Sequence, residues 1–258
     1  LERRKLFSHQ TRLNWIIRIK MDVYEKLIRN VLDFPIKGIN FRDITPLLAD
    51  GEGFHQTIMD LNKELPSYDQ YDKFIVAESR GFIFGAPLAS LNNKGLVLAR
   101  KSGKLPLVGF KESYDLEYGT ASIEIAEGNI KPGDRVIIMD DLIATGGSAR
   151  AMVDLVRDAG GIPIMCLFLC ELRSLQGYKK LGIPAKAIVS YGIHSGDLLQ
   201  IKKSSDADAI VKFVDKASEH KLNCLTKSGE KVIVDKGDII NIVTEDNDGC
   251  LSYVKYRD

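Results

Sequence analysis

Short apolar runs alternate with helical spacings over most of the chain. The runs, which predict buried β-strands, are 74–77, 96–98, 136–139 and 164–169. Between them, apolar residues recur at intervals of three and four and predict helices over 54–65, 84–88 and 148–159. Alternating strands and helices imply right-handed crossovers. The pattern therefore predicts an α/β fold with a central, mostly parallel β-sheet flanked by helices.

Two segments before residue 120 differ from this alternation. Val23, Leu27 and Val31 have helical spacing and predict a first helix from Asp22 to Asp33. Residues 101–119 are basic and then aromatic and acidic, without a helical period, and predict a long loop or small hood-like flap. Long loops inside compact domains are usually functional, so this flap is a candidate part of a binding site.

Changes in composition divide the chain into three predicted parts. Residues 1–20 carry six basic residues against one acid, which predicts a disordered or non-native leader, with an Arg-rich transit peptide as the alternative. Residues 21–191 form the predicted α/β domain. Residues 192–258 predict a C-terminal α+β extension, with a helix over Ala209 to Ala217 and then short antiparallel strands.

Composition and charge narrow the class of function. Apolar residues make up 45% of the chain, charged residues make up 28%, and the formal net charge is +1. A protein that binds nucleic acid usually has a large basic excess, so this class is disfavoured. The strongly apolar run Ile162–Cys170 is too short to span a bilayer. The four cysteines form no C-x-x-C pair, which favours reduced thiols in the cytoplasm over a zinc site.

The segment Val136–Ser148 carries the clearest candidate chemistry. A predicted buried strand runs into Asp140 and Asp141, and the small residues Ala144, Thr145, Gly146, Gly147 and Ser148 follow before a helix. Backbone N–H groups at such a helix start favour an anion, and the hydroxyls add donors. The glycines precede no lysine, so the segment is not a nucleoside-triphosphate P-loop. Carboxylates beside a phosphate loop suit a phosphorylated sugar, because they accept hydrogen bonds from the sugar hydroxyls while the loop binds the phosphate.

This segment resembles the phosphoribosyl-pyrophosphate signature of the type I phosphoribosyltransferases. Further segments resemble the adenine phosphoribosyltransferases in that family: FPIKGINFRDITP at 34–46, ESRGFIFG at 78–85, RKSGKLP at 100–106, YDLEYG at 114–119 and ELRSLQG at 171–177. The resemblance covers about 22–190. It implies the type I fold and the transfer of a 5-phosphoribosyl group from phosphoribosyl pyrophosphate to adenine, which yields AMP and pyrophosphate.

The same resemblance implies roles at the diphosphate end of the substrate. Arg80 corresponds to a pyrophosphate-binding arginine, a role that suits the bidentate guanidinium group. Lys101 and Lys104, in the flap, bring further positive charge to the diphosphate. Mg²⁺ is the implied cofactor, bridging diphosphate and ribose oxygens with few protein ligands. A homodimer is also implied.

Roles at the base end follow from the resemblance as well. Phe41 corresponds to the residue that stacks on the purine, and Arg42 helps to shape the base pocket. Glu117 is the candidate general acid or base, and Tyr118 covers the diphosphate when the flap closes. Asn40 stands where a small apolar residue is expected, which leaves a phosphoribosyltransferase for hypoxanthine, guanine or xanthine as an alternative. A non-catalytic regulator that senses phosphoribosyl pyrophosphate is a second alternative.

Overall fold

The computed structural model describes residues 24, 26–37, 39–115, 120–192, 198–201, 209–216, 221–226, 231–236, 239–245 and 251–255. The predicted leader, residues 1–20, lies outside this described part of the chain. Two compact units make up the chain, Leu1–Met59 and Asp60–Asp258. Among the described residues, no helix has both the length and the apolar character required to cross a membrane.

The first unit contains a short β-hairpin followed by helix. Strands β1 (Arg29–Leu32) and β2 (Asn40–Asp43) pair antiparallel, with Arg29 opposite Asp43. The Arg29 guanidinium contacts the Asp43 carboxylate at 2.5 Å. The predicted helix from Asp22 to Asp33 is therefore wrong over β1, because cross-strand pairing overrides the local helical spacing. Helix α1 (Thr45–Ala49) follows, and helix α2 (Gly51–Lys63) crosses the boundary between the units.

The second unit is built on a seven-stranded sheet. Its strands are β3 (Lys73–Ala77), β4 (Gly95–Lys101), β5 (Val108–Asp115), β6 (Thr120–Ala126), β7 (Arg135–Ile143), β8 (Ile162–Leu172) and β9 (Ala185–Tyr191). Their order is β5-β6-β4-β3-β7-β8-β9. The last five strands in this order are parallel, and β5 and β6 form an antiparallel hairpin at one edge.

Two helices cover opposite faces of this sheet. Helix α3 (Arg80–Leu91) packs Gly85 directly on Val76, whereas helix α4 (Gly147–Asp158) shares a buried cluster with Ile75. Neighbouring residues of a strand point to opposite faces, so Val76 and Ile75 mark the two sides. Burial on both faces explains the continuous apolar runs in β3 and β7. The predicted α/β fold with a mostly parallel sheet flanked by helices is confirmed.

The predicted flap is largely regular structure. Residues Val108–Asp115 form strand β5, which pairs with β6, so the prediction of a loop throughout 101–119 is wrong for these residues. Phe110, Glu112 and Tyr114 alternate with exposed positions and are partly buried, which is the period of a strand and not of a loop. Residues 116–119 lie outside the described part of the chain.

The C-terminal extension contains an antiparallel sheet of its own. Its strands are β10 (Leu198–Ile201), β11 (Ala209–Lys216), β12 (Lys221–Leu225), β13 (Lys231–Asp235), β14 (Ile239–Glu245) and β15 (Leu251–Lys255), in the order β13-β12-β11-β10-β14-β15. The expected antiparallel strands are present. The helix predicted over Ala209 to Ala217 is wrong, because Ala209–Lys216 pairs with β10 and β12 as a strand.

Candidate functional site

The two acids of the central motif lie near the C-terminal end of β7. Asp140 and Asp141 are 9% and 5% exposed, and they belong to the strand itself and not to the loop after it. Residues 144–146 then turn the chain into α4, which begins at Gly147. The carboxyl ends of parallel strands are where α/β sheets bind their ligands. The structure therefore brings a buried carboxylate pair and a helix start to the ligand-binding edge.

Close packing against a distant glycine fixes the shape of the small-residue loop. Gly146 has a φ of +81°, in the left-handed region, and a Cβ there would overlap the carbonyl oxygen of Gly177. A Cβ at Gly177 would in turn overlap the carbonyl oxygen of Ala144. Only glycine fits such a backbone approach. Gly177 was not among the predicted site residues, although it ends the ELRSLQG segment that signalled the resemblance.

An arginine from α3 balances the charge of the acid pair. The Nε atom of Arg80 lies 2.9 Å from a carboxylate oxygen of Asp141. The backbone N–H of Asp141 donates to the Asp140 carboxylate at 2.9 Å. Burial raises the pKa of Asp140 well above its usual range, and the charge of Asp141 raises it further. Burial also raises the pKa of Asp141, an effect that Arg80 opposes. Burial therefore disfavours the charged form of both carboxyl groups, and Arg80 opposes this effect at Asp141.

A cavity of about 240 Å³ opens in front of these groups. Its lining combines residues 140–149 with Arg80 and Tyr114. The predicted residues Asp140, Asp141, Arg80 and 144–148 thus share one cavity. The sequence prediction did not include Tyr114. Burial raises the pKa of its phenol, and the charge of Asp140 adds to the effect. The sequence signal for Tyr114 was its position at the start of the YDLEYG segment, where the residues alternate as they do in a strand.

The two predicted lysines lie where β4 ends: Lys101 is its last residue and Lys104 is in the turn after it, and residues 100–104 together form the cationic turn. Lys101 and Lys104 are exposed, and they are not part of the described lining of the cavity. Glu78, at the end of β3, accepts from Lys104 Nζ at 2.5 Å, from the Lys101 backbone N–H at 2.9 Å and from Arg100 Nε at 3.0 Å. The Lys104 hydrogen bond, with the other two donors, lowers the pKa of Glu78 to about 2. Glu78 therefore holds the turn as an ionised carboxylate.

The remaining predicted site residues belong to the first unit or lie outside the described residues. Phe41 and Arg42 lie on β2 of the first unit, where the rings of Phe34 and Phe41 pack edge to face at 5.2 Å. The Oδ1 atom of the neighbouring Asn40 is buried, with no hydrogen-bond partner among the described residues. Glu117 and Tyr118 lie outside the described residues. The roles of these four residues remain predictions.

Metal binding by the protein alone has little support in the described residues. No three of their His, Cys, Asp and Glu side chains are grouped so as to hold an ion. Asp140 and Asp141 offer the oxygen donors that Mg²⁺ prefers, but Arg80 already contacts one of them. Two carboxylates suit an ion that takes most of its ligands from a bound substrate and water. The two carboxylates therefore fit a Mg²⁺ ion that binds together with the substrate.

Comparisons with known proteins point to one family. No protein-family model matches the chain. It is 49% identical over 173 residues to an adenine phosphoribosyltransferase of Rubrobacter xylanophilus, covering 66% of this chain and 93% of that protein. The crystal structure of the adenine phosphoribosyltransferase from Thermoanaerobacter pseudethanolicus has 44% identity and a TM-score of 0.64, and the match covers 66% of this chain and 99% of that one.

A solved structure with bound ligands shows the same likeness. The adenine phosphoribosyltransferase of Saccharomyces cerevisiae, in complex with adenine and D-2,5-dideoxy-2,5-imino-altritol 1,6-bisphosphate, is 35% identical with a TM-score of 0.61. The match covers 66% of this chain and 98% of that one. In all three comparisons the relative is covered almost completely, whereas a substantial part of this chain has no counterpart.

Proposed function

We propose a mechanism from one premise: the chain belongs to the adenine phosphoribosyltransferase family. The enzyme transfers the 5-phosphoribosyl group of phosphoribosyl pyrophosphate to adenine and releases AMP and pyrophosphate, a reaction of purine salvage. The observation that carries the mechanism is the cavity at the end of β7, where buried carboxylates and a loop of small residues share one lining.

The loop of residues 144–148 binds the 5-phosphate of the sugar. No side chain of the described residues caps the start of α4, so the N–H groups of its first turn are available as donors. The helix dipole favours an anion at this end, and the hydroxyls of Thr145 and Ser148 add two donors. Gly146 and Gly147 let the phosphate approach the backbone. The cavity lining, which includes this whole loop, supports the assignment.

The carboxylates of Asp140 and Asp141 hold the ribose. They accept hydrogen bonds from the sugar hydroxyls and face C1, which gains positive charge as pyrophosphate leaves. Burial raises the pKa of Asp140, because a buried site disfavours the charged form of its carboxyl group. Positive charge at C1 then favours the fully ionised pair, so the electrostatic gain is greatest in the transition state. Adenine attacks from the opposite face and inverts the anomeric centre.

Arg80, Lys101 and Lys104 stabilise the leaving diphosphate. Arg80 lies in the same cavity as the acids, and its guanidinium can exchange Asp141 for phosphate oxygens. Lys104 pairs with Glu78, which is two residues before Arg80 in the sequence. This ion pair links the cationic turn to the segment of chain that carries Arg80. Lys101 adds a further charge. These positive charges lower the activation free energy, because they stabilise the negative charge that develops on the leaving diphosphate.

Mg²⁺ is proposed as the cofactor. Asp140 and Asp141 are the residues that would hold it. When bound, it would supply positive charge that stabilises the leaving diphosphate. Support comes from the donor chemistry of the acid pair, which suits a hard cation with few protein ligands.

Roles at the purine base and in the flap are proposed as well. Phe41 stacks on adenine and Arg42 shapes the pocket around it. Glu117 takes or steadies the proton that the attacking purine nitrogen sheds, and Tyr118 covers the diphosphate. The pairing of β5 with β6 supports a flap here, because these two strands carry the chain into and out of residues 116–119. A closed flap excludes water that would hydrolyse the activated sugar.

Assembly, location and domain boundaries are proposed more broadly. We infer a cytoplasmic homodimer that binds small-molecule substrates. Among the described residues, Cys166 and Cys224 form no disulfide, which supports a reducing compartment. Leu107 and Val108 are 69% and 46% exposed, an apolar surface that suits a contact between subunits. We also propose boundaries that separate a leader at 1–20, a catalytic domain at 21–191 and an extension at 192–258.

A base-specificity assay tests the function. Purified protein is incubated with phosphoribosyl pyrophosphate and adenine, hypoxanthine, guanine or xanthine, with Mg²⁺ or with a chelator. We expect AMP and pyrophosphate from adenine, loss of turnover with the chelator, and nucleotide formation from the other bases at background. Nucleotide formation from another base at the rate seen with adenine would favour the broader purine specificity. Binding of phosphoribosyl pyrophosphate without turnover of any base would favour the regulator.

A further inference from the structure

A buried carboxylate lies in the middle of the flap strands. Glu124 of β6 is 4% exposed, and its strand neighbours are Arg100 of β4 on one side and Lys111 of β5 on the other. A carboxylate at this depth is costly unless hydrogen bonds and an opposite charge compensate it. Such a group in a strand that contributes nothing to the cavity lining calls for an explanation of what it holds.

The partners of Glu124 come from the cationic turn and from the flap. Ser102 Oγ donates to one carboxylate oxygen at 2.5 Å, and the backbone N–H of Gly103 donates to the other at 3.0 Å. Lys111 Nζ lies 3.2 Å from the first oxygen and donates to Ser102 Oγ at 2.8 Å. These hydrogen bonds lower the pKa of Glu124, the one from Ser102 most. Both oxygens are therefore engaged as an ionised carboxylate.

The two bound residues are the centre of the turn. Ser102 and Gly103 stand between Lys101 and Lys104, and Gly103 has a φ of +82°, in the left-handed region. Glu78 holds the same turn from β3 through the backbone of Lys101 and the ammonium of Lys104. Two carboxylates from distant parts of the chain thus hold the exposed residues 101–104. Without Glu124, Ser102 and Gly103 would lose their only carboxylate partner among the described contacts.

We propose that Glu124 is a positioning residue for the transferase reaction: it clamps Ser102 and Gly103 to the flap strands and so aims Lys101 and Lys104 at the diphosphate. This inference rests on the proposed role of the two lysines. Because β6 is the strand that leaves residues 116–119 and Lys111 lies on the strand that enters them, the clamp also joins the diphosphate turn to the flap. The turn and both flap strands are therefore joined by direct contacts.

Replacement of the carboxylate by an amide tests the clamp. In Glu124→Gln, the amide NH₂ must face either the Gly103 N–H donor or Lys111, so the arrangement cannot be reproduced. We expect the KM for phosphoribosyl pyrophosphate, and for pyrophosphate in the reverse reaction, to rise about tenfold. The KM for adenine and kcat at saturating substrate should change less than about twofold. Glu127→Gln, at an exposed position near the end of the same hairpin, is the matched control and should behave as wild type.

A double-mutant cycle separates positioning from simple support of the fold. If Glu124 acts through the lysines, Glu124→Gln should add little to a Lys101→Ala/Lys104→Ala variant. An undiminished effect in that background, or equal losses in every kinetic constant, would overturn the proposal. Ser102→Ala, which removes one donor and leaves the carboxylate, should shift the same KM by a smaller factor even if Glu124→Gln folds poorly.

The same set of variants distinguishes two kinds of failure. If the lysine variant raises the KM for phosphoribosyl pyrophosphate and Glu124→Gln does not, the clamp is wrong and the proposed role of the lysines stands. If the lysine variant itself binds the diphosphate as wild type does, the proposed role of the turn is wrong and the clamp is wrong with it.

Discussion

The acid-and-loop cage, residues 140–148, and the cationic turn, residues 100–104, are proposed to bind opposite ends of one substrate, and they are built differently. The cage is made of buried carboxylates and tightly packed backbone next to the core. The turn is exposed, and acids from two other strands hold it in shape. Backbone and burial fix geometry within narrow limits, whereas exposed ion pairs are screened and exchangeable. We therefore expect damage to the cage to be severe and damage to the turn to be graded.

The largest effect is expected from the acid pair. Asp141→Asn removes the charge that faces C1 and leaves Arg80 without the contact it makes at 2.9 Å. By comparison with the loss of other groups that stabilise transition-state charge, kcat/KM should fall about 10²- to 10³-fold. Steady-state kinetics would measure this, with Asp69→Asn as the control, since Asp69 is exposed in a turn before β3. A loss below about threefold would remove Asp141 from the chemistry.

A smaller but still large effect is expected from the backbone of the loop. In Gly146→Ala, the new Cβ meets the carbonyl of Gly177 and sits at a φ of +81°. The loop must move, so the KM for phosphoribosyl pyrophosphate should rise at least about tenfold, and the protein should lose about 1–3 kcal/mol of stability. Kinetics and denaturant unfolding check both.

Gly133→Ala is the matched control for that substitution. Gly133 has a φ of +86°, but a Cβ there meets nothing within 4 Å. It should cost only the backbone strain and leave the KM unchanged. Equal effects of the two substitutions on KM would show that contact with Gly177 does not shape the phosphate loop.

Substitution of either lysine of the cationic turn should change KM less than damage to the cage does. Lys101 has no ion-pair partner among the described residues, whereas Lys104 must leave Glu78 to reach a phosphate. Lys101→Ala should therefore raise the KM for phosphoribosyl pyrophosphate more than Lys104→Ala, each by about threefold to tenfold, and added salt should narrow the difference. Kinetics at two ionic strengths measure this, with exposed Lys131→Ala as control. The reverse ranking would mean that Glu78 does not restrain Lys104.

The smallest effects concern stability, where the two regions should respond to pH in opposite directions. The pKa of Asp140 is raised by burial, so its favourable contribution is complete at low pH and is lost as pH rises through the folded-state value. The pKa of Glu78 is lowered from 4.5 to about 2, so its contribution is present above 4.5 and is lost as pH falls toward 2.

Thermal unfolding of two variants from low to high pH measures these contributions. Relative to wild type, Asp140→Asn should gain stability as pH rises. Glu78→Gln should be less stable at neutral pH, and the deficit should vanish in acid. Differences of about 2–4 °C in Tm are expected for each kcal/mol gained or lost. If both variants followed the same direction with pH, the contrast between buried and ion-paired acids would be wrong.

The two regions also differ in how far the sequence predicts them. Asp140, Asp141 and the loop to Ser148 are contiguous, so their strand, turn and helix start could be read from one stretch of chain. The turn depends on Glu78 and Glu124, which lie more than twenty residues from the lysine and serine they hold. Nothing in local spacing indicates such pairs, and the sequence prediction therefore identified the lysines but not their anchors.

The errors in secondary structure have the same origin. Ile210, Phe213 and Val214 satisfy a helical spacing, but Ala209–Lys216 is only eight residues long, and short apolar segments do not distinguish helix from strand. Pairing with β10 and β12, which is non-local, decides for a strand. Pairing with β2 decides for a strand in β1 in the same way, and pairing with β6 forms strand β5 where a loop was predicted. The parallel strands β3, β7 and β8 were predicted within shorter bounds, because burial on both faces leaves an uninterrupted apolar run.

A crystal structure of the protein with ribose 5-phosphate and Mg²⁺ tests most directly whether residues 140–148 enclose the substrate. We predict sugar hydroxyls within about 2.6–3.2 Å of the Asp140 and Asp141 carboxylates, and the phosphate within the same distance of the loop N–H groups. A sugar phosphate bound elsewhere, with this cavity unchanged, would contradict the mechanism proposed for the enzyme.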